Sequence, residues 1–331
     1  MKRVTIKDIA RKLGIAYSTV SMAINDDSTI SKATKEKVRQ AIIEMGYHPN
    51  KAARSLVKGR TNNIAVVTPG FFSLYELHII RGMEQKLIQT KFDILLYTGR
   101  YDFEETNNVM NKILYERNAD AVIVIGVMLK EEIIQKYAQL KVPLILIDAK
   151  ENKNASSINV DNYYAGKIAA EYFIKNNKRR PGIILGSTKY AFSQQKRLEG
   201  FRDALKENGI ELEFINESYD YLPDDLKRVG KKVAKDFLEK KVDAIFCANG
   251  DYAAYGVYKH LKEKNVKIPD DVSIVGCDNF DVAEILELTT IQQPLEQIGE
   301  FSIAIAEKMI KAKEINCVYK NFKPELILRK T

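Results

Sequence analysis

Asp148 follows the apolar run VPLILI, Asp251 follows IFCANG, Asp278 follows SIVGC, and Arg197 opens a helix-forming stretch after PGIILG and its loop. Ligands of open parallel sheets lie outside the carboxyl ends of the strands, so polar residues there are the first candidates for a site. Carboxylates and a guanidinium suit a polyhydroxylated ligand, because they hold neighbouring hydroxyls through paired, charge-assisted hydrogen bonds. Each has a plainer alternative: Arg197 as a surface residue among other charges, Asp148 and Asp278 as caps or turn residues. Covalent and metal chemistry find little support. No GxGxxG follows the first apolar run, and neither GxxxxGK[ST] nor GxSxG occurs. The three histidines are scattered, and His78 and His260 fall within helical patterns as packing or surface residues. Cys247, Cys277 and Cys317 form no CxxC pair, which argues against a disulfide framework or a zinc site and fits a reducing compartment. No enzyme, metal or cofactor is expected.

The elements that would position these groups are short apolar runs alternating with amphipathic stretches. Strands are expected at 64–69, 92–99, 120–126, 142–149, 181–186, 212–218, 242–249 and 271–278, separated by helix-length segments such as YELHIIRGMEQKLIQ and QQKRLEGFRDALKENG. Strand then helix, repeated, implies parallel sheets with helices on both faces. Roughly 270 residues of this pattern divide into two doubly wound halves.

The amino-terminal segment is different in kind. The first 60 residues hold 13 Lys/Arg against 5 Asp/Glu, leaving 39 of each in the rest, so the whole net charge of +8 resides there. A basic segment ahead of a neutral body suits a polyanion, or else a solvated basic arm. Thr5 precedes IKDIARKL as an N-cap, with Asp8 in the capping-box position and Gly14 as terminator. A short turn leads to YSTVSMAIN, with Val20, Ala23 and Ile24 facing inward and Tyr17, Ser18, Ser21 and Met22 outward; Ser31 then caps a helix burying Val38, Ala41, Ile42 and Met45. Two short helices joined by a Gly-containing turn are the helix-turn-helix pattern. Beyond Pro49, KAARSLVK favours a helix but is too short to be stable in water alone.

The strings VTIKDIARKLGIAYSTVSMAIN and ISKATKEKVRQAIIEMGYHPNKAARSL resemble the head of the LacI/GalR family of bacterial transcriptional regulators. The likeness continues through SSINVDNYYAGKIAAEYFI, RLEGFRDAL, IPDDVSIVGCDN and LTTIQQPLEQIG. It implies a small all-α helix-turn-helix head over 1–48 and a hinge helix and linker over 49–62. It also implies an α/β, periplasmic-binding-protein-like body over 63–331, with subdomains of about 63–160 with 291–320 and 161–290 with 321–331. Its implied function is a sequence-specific DNA-binding repressor controlled by a small ligand between the subdomains. Tyr17, Ser18 and Met22 would then meet base edges, and Thr5, Thr19, Ser21 and Asn25 would serve phosphates or head packing. Hinge residues Asn50, Ala53 and Leu56 would approach the minor groove, with Leu56 as an apolar wedge; the alternative packs Leu56 on its own domain. The resemblance adds Ser73, Tyr75 and Tyr219 to Asp148, Arg197, Asp251 and Asp278 as ligand residues, with Tyr221 near them. Expected partners are pseudo-palindromic double-stranded operator DNA, a second copy of the chain, and an effector that is a sugar or sugar phosphate, with a nucleobase, nucleoside or phosphoprotein as alternatives. No membrane contact is expected, and the location is cytoplasmic, at the bacterial nucleoid.

Three departures from the family pattern matter. Met22 replaces the usual arginine and cannot make its paired hydrogen bonds to guanine. Ala16 replaces a capping serine at a cost on the order of 1 kcal/mol. Gly250 occupies the place of an asparagine before Asp251. An exported sugar-binding protein would share the body, but the head and the absence of an apolar leader run argue against it.

Overall fold

The computed structural model describes residues 4–47, 59–70, 73–100, 102–189, 191–218, 222–312 and 316–331. The chain forms two compact units, Met1–Thr61 and Asn62–Thr331. In the head, α1 (Ile6–Leu13), α2 (Tyr17–Ile24) and α3 (Lys32–Met45) surround Ile9, Ala10, Val20, Val38 and Ala41. The caps follow the sequence. The Asp8 carboxylate accepts from the Thr5 backbone N–H at 2.9 Å and its hydroxyl at 2.7 Å. Ser31 accepts from the Thr34 N–H at 3.2 Å. Gly14 and Gly46 end α1 and α3 in the left-handed conformation, where lack of a Cβ removes the steric penalty. Ala16 gives α2 no side-chain cap.

The body opens with β1 (Asn63–Thr68), α4 (Leu74–Leu87), β2 (Asp93–Thr98), α5 (Phe103–Glu116), β3 (Ala121–Ile125), α6 (Glu131–Gln139), β4 (Leu144–Ile147) and β5 (Ser156–Val160). It continues with α7 (Asn162–Lys175), β6 (Pro181–Leu185), α8 (Phe192–Glu207), β7 (Phe214–Glu217), α9 (Pro223–Glu239), β8 (Ala244–Cys247), α10 (Asp251–Glu263), β9 (Ser273–Asp278), α11 (Asp281–Ile285) and β10 (Thr290–Gln292). Then come α12 (Leu295–Ala312), β11 (Tyr319–Phe322) and β12 (Glu325–Ile327). One sheet has the order β2-β1-β3-β4-β5-β11, with every pair parallel. The other runs β7-β6-β8-β9-β10-β12, parallel except for β10–β12. Apolar clusters cover both faces of each sheet, as parallel strands buried on two sides require.

The chain crosses between sheets after β5, between β10 and α12, and between β11 and β12. The later crossings fall about two residues beyond the boundaries expected from sequence. Ile291 and Gln292 pair with Cys277 and Asp278 in the second sheet, while Asn321 and Phe322 pair with Asn159 and Val160 in the first. The eight expected strands are present. Four more, β5, β10, β11 and β12, were not expected as strands because they are short or polar. β5 is SSINV yet wholly buried; Asn159 exchanges hydrogen bonds of 3.0 Å with the Ala149 N–H and C=O, and Ser156 accepts from Val318 N–H at 3.0 Å. Satisfied in this way, polar side chains occupy a core strand without a desolvation penalty.

Candidate ligand cleft and head surface

Strand order reverses between β1 and β3 in one sheet and between β6 and β8 in the other, and a crevice opens outside the strand ends at such reversals. Asp148 directly follows β4 and Asp278 ends β9, both with left-handed backbone, φ 57° and 102°. Non-glycine residues held so carry strain, on the order of 1–3 kcal/mol, of a kind that gathers at functional sites. Arg197 comes from α8 of the second subdomain and is 3% exposed. Its Nε donates to Asn162 Oδ1 at 2.8 Å and its Nη1 to the Ala248 carbonyl at 2.6 Å. Gly166 and Gly200 make that placement possible. A Cβ on Gly166 would collide with the Arg197 carbonyl, and one on Gly200 with the Tyr163 carbonyl, so α7 and α8 touch backbone to backbone.

Residues from both subdomains meet electrostatically. Tyr75 from α4 lies within the fields of Asp148, Arg197 and Asp278, and burial raises its hydroxyl well above the ordinary range. Burial likewise raises Asp148 and Asp278, against the pull of Ser193 and Arg197 beside the first and of Arg197 and Gln293 beside the second. Glu76, in the first turn of α4 and 7% exposed, is pushed up to about 7 by burial, with Ser73 beside it acting in the opposite sense. The two subdomains are also joined by His78 of α4 stacked on Phe280 of the loop after β9, ring centroids 5.1 Å apart.

Of the seven ligand residues expected from sequence, Ser73, Tyr75, Asp148, Arg197 and Asp278 come together here. Tyr219, like Tyr221, lies outside the described residues. Asp251 is a correction. It is fully buried, its Oδ2 accepts from the Phe280 N–H at 2.8 Å and its Oδ1 from the Thr290 hydroxyl at 2.6 Å. It ties α10 to the ends of β9 and β10 instead of facing a ligand. The replacement before it has a local cause: Gly250 sits at φ 124°, and a Cβ there would stand 3.2 Å from Asp278 Oδ2.

Sequence reading missed Glu76, Asn162, Ser187, Ser193, Asn249 and Gln293. Glu76 left a signal, a carboxylate on the same helical face as Ile79 and Met83. Among the described residues, buried polar atoms without a hydrogen-bond partner gather at these strand ends: Glu76 Oε2, Asp148 Oδ1, Ser187 Oγ, both amide atoms of Asn249, and Gln293 Oε1. The others belong to Asn111, Asn118 and His260. Unpaired groups of this kind are costly unless something binds them. No group of three metal-ligating side chains occurs among the described residues, nor any helix long and apolar enough to cross a membrane.

On the head, α2 exposes Tyr17 (59%) and Met22 (36%), with Ser18 and Asn25 also exposed and Thr19 and Ser21 half-buried. Thr5 is exposed at the start of α1, its hydroxyl engaged by Asp8. Lys12 pairs with Glu44 and Lys35 with Asp26, so part of the basic charge braces the head itself. Asn50, Ala53 and Leu56 lie outside the described residues.

The family model described as "Bacterial regulatory proteins, lacI family" matches residues 5–50, and "Periplasmic binding proteins and sugar binding domain of LacI family" matches residues 63–317. The chain is 30% identical over 335 residues to the HTH-type transcriptional repressor PurR of Vibrio parahaemolyticus, covering 99% of this chain and 98% of the relative. It is 31% identical over 329 residues to the HTH-type transcriptional regulator RegA of Clostridium acetobutylicum, covering 95% of each. Its fold is similar to that of the lac repressor dimer bound to operator and the anti-inducer ONPF, with a TM-score of 0.88, 22% identity, and coverage of 100% of this chain and 99% of that one. The chain belongs to the LacI family of bacterial regulatory proteins.

Proposed function

We propose that this LacI-family transcriptional repressor binds a pseudo-palindromic operator as a homodimer at the bacterial nucleoid, and that a sugar-class ligand in the cleft sets its operator affinity. The observation that carries the ligand reading is the convergence of Tyr75 and Asp148 from one subdomain with Arg197 and Asp278 from the other. A ligand bridging these groups bears on both subdomains, and the His78–Phe280 stack and the Asp148–Ser193 contact register any shift between them. Such coupling is worth a few kcal/mol at most. Ser73, Tyr75, Asp148, Arg197 and Asp278 form the ligand set, with Tyr219 added by family likeness; Asp251 supports them from behind.

At the operator, Tyr17, Ser18 and Met22 read base edges, with Met22 placing its thioether against a thymine methyl where an arginine would select guanine. Thr5, Thr19, Ser21 and Asn25 hold phosphates or pack the head, and Asn50, Ala53 and Leu56 act in the hinge at the minor groove. Selection of binding sites from random DNA tests this reading. It should return a two-fold site whose binding weakens steeply with salt, with a non-guanine base facing Met22. Recovery of no enriched site would overturn the DNA-binding reading; guanine at that pair would overturn the role of Met22.

A further inference from the structure

We infer that Asn159 and Asn162 of the first crossover are positioning residues, which set Asp148 against Arg197 and tie that geometry to the bend between the subdomains. The inference rests on the ligand reading above and adds residues that act through the ligand groups.

The crossover is very short. Val160 is the last residue of β5 in the first sheet, Asn162 is the first of α7 in the second subdomain, and Asp161 alone lies between them. Asp161 is itself pinned: its N–H donates to the Phe322 carbonyl at the third crossover at 2.8 Å, and its carboxylate accepts from the Tyr164 N–H at 2.9 Å. Asn159 and Asn162 are each only 4% exposed, and their amides are engaged in opposite directions.

Asn159 holds the first subdomain's ligand group. Its Oδ1 accepts from the Ala149 N–H and its Nδ2 donates to the Ala149 carbonyl, both at 3.0 Å, and Nδ2 also donates to Ser157 Oγ at 2.9 Å. These bonds grip the residue next to Asp148, whose own N–H donates to the Ile158 carbonyl at 3.2 Å. The left-handed backbone of Asp148 is thereby held from β5.

Asn162 holds the second subdomain's ligand group. Its Oδ1 accepts from Arg197 Nε at 2.8 Å, while its Nδ2 donates to the Val160 carbonyl at 3.2 Å. One amide thus links Arg197 to the last carbonyl of a first-subdomain strand, across the bend at Asp161. Because α7 and α8 touch backbone to backbone at Gly166 and Gly200, Asn162 and Arg197 move as one body. A change of angle at Asp161 therefore strains the Asn162–Val160 bond or shifts Arg197 relative to Asp148. The second crossover repeats the arrangement: Gln293, 5% exposed, donates from Nε2 to Asp278 Oδ1. Asp148, Arg197 and Asp278 are each held, directly or through the neighbouring residue, by a buried amide from a crossover.

The test compares the full chain with Asn159→Ala, Asn162→Ala and Asn162→Asp by calorimetric titration with D-ribose, D-glucose, D-galactose and cellobiose, beside a thermal melt of each protein. For a sugar that binds wild type, both alanine variants should remain folded and bind about tenfold more weakly, since a hydrogen bond holding a charged or buried group is lost. Asn162→Asp restores an acceptor to Arg197 and should recover at least about threefold of that loss. A second readout needs no ligand. Glu116→Cys on α5 and Glu207→Cys on α8, both exposed and one in each subdomain, carry spin labels in a Cys317→Ser background. Labelled chains diluted into unlabelled ones report the distance between subdomains. Asn162→Ala should shift or broaden that distance distribution, whereas Asn159→Ala, whose bonds stay within the first subdomain, should leave it in place. Lower melting temperatures with unchanged sugar affinity in both alanine variants would reveal a packing role and overturn the positioning. A distance distribution unmoved by Asn162→Ala overturns the tie to the bend. If no sugar of the panel binds wild type, the sugar reading fails, and the label distances decide the role of Asn162.

Discussion

The head presents its outward-facing residues from one eight-residue helix, α2, whereas the cleft of the body assembles its groups from α4, α8 and the ends of β4, β6, β8, β9 and β10. Their cores differ in the same way. Five buried apolar residues hold the head, while the body has a cluster on each face of each sheet. A short-range surface on a small core is easily rewritten and easily lost. A long-range site on large cores is robust as a fold but sensitive at each junction.

The sharpest way to break this contrast is Arg197→Ala. It strands Asp148 and Asp278 without their cation, and removing one partner of a buried ionic group costs about 3–5 kcal/mol. The body's unfolding free energy from denaturant melts should fall by that amount and ligand titration should flatten, while the head transition stays in place. Ile9→Ala does the reverse. Truncating this fully buried residue should cost about 3 kcal/mol, enough to unfold so small a core. Operator binding should vanish in a gel shift, with the body's transition unchanged.

Glu76→Gln sharpens the contrast through pH. Burial raises the folded carboxyl to about 7 from 4.5, so the folded state holds a proton that the unfolded state releases between these values. Wild-type stability therefore falls as pH rises across that window, by up to about 3 kcal/mol for this group. The variant should match wild type below pH 4.5 and exceed it by up to that amount at pH 8 in urea melts. The smallest effect is expected from Ala16→Ser, which gives α2 the missing cap and should stabilise the head by about 1 kcal/mol, read as a higher head midpoint alone.

Much of the architecture was legible from local pattern. The capping pair Thr5–Asp8, the stop at Gly14 and the cap at Ser31 each act within four residues, and the strands rich in Ile, Val and Leu announce themselves by composition. β5 and β10 were not legible. SSINV and TIQ are core strands only because Asn159 finds Ala149, Ser156 finds Val318, and Thr290 finds Asp251.

By itself the sequence determined the helix-turn-helix head, its separation from an α/β body, and most strand ends at which a ligand could be met, because capping, periodicity and charge are set by near neighbours. Tertiary structure decided which of those ends carry function. Asp251 and Asp278 look alike in sequence, an aspartate after an apolar run, yet one has both oxygens bound to Phe280 and Thr290 and the other shares Arg197 at the cleft. A carboxylate's role depends on its burial and on partners tens of residues away, and only the folded chain brings those together.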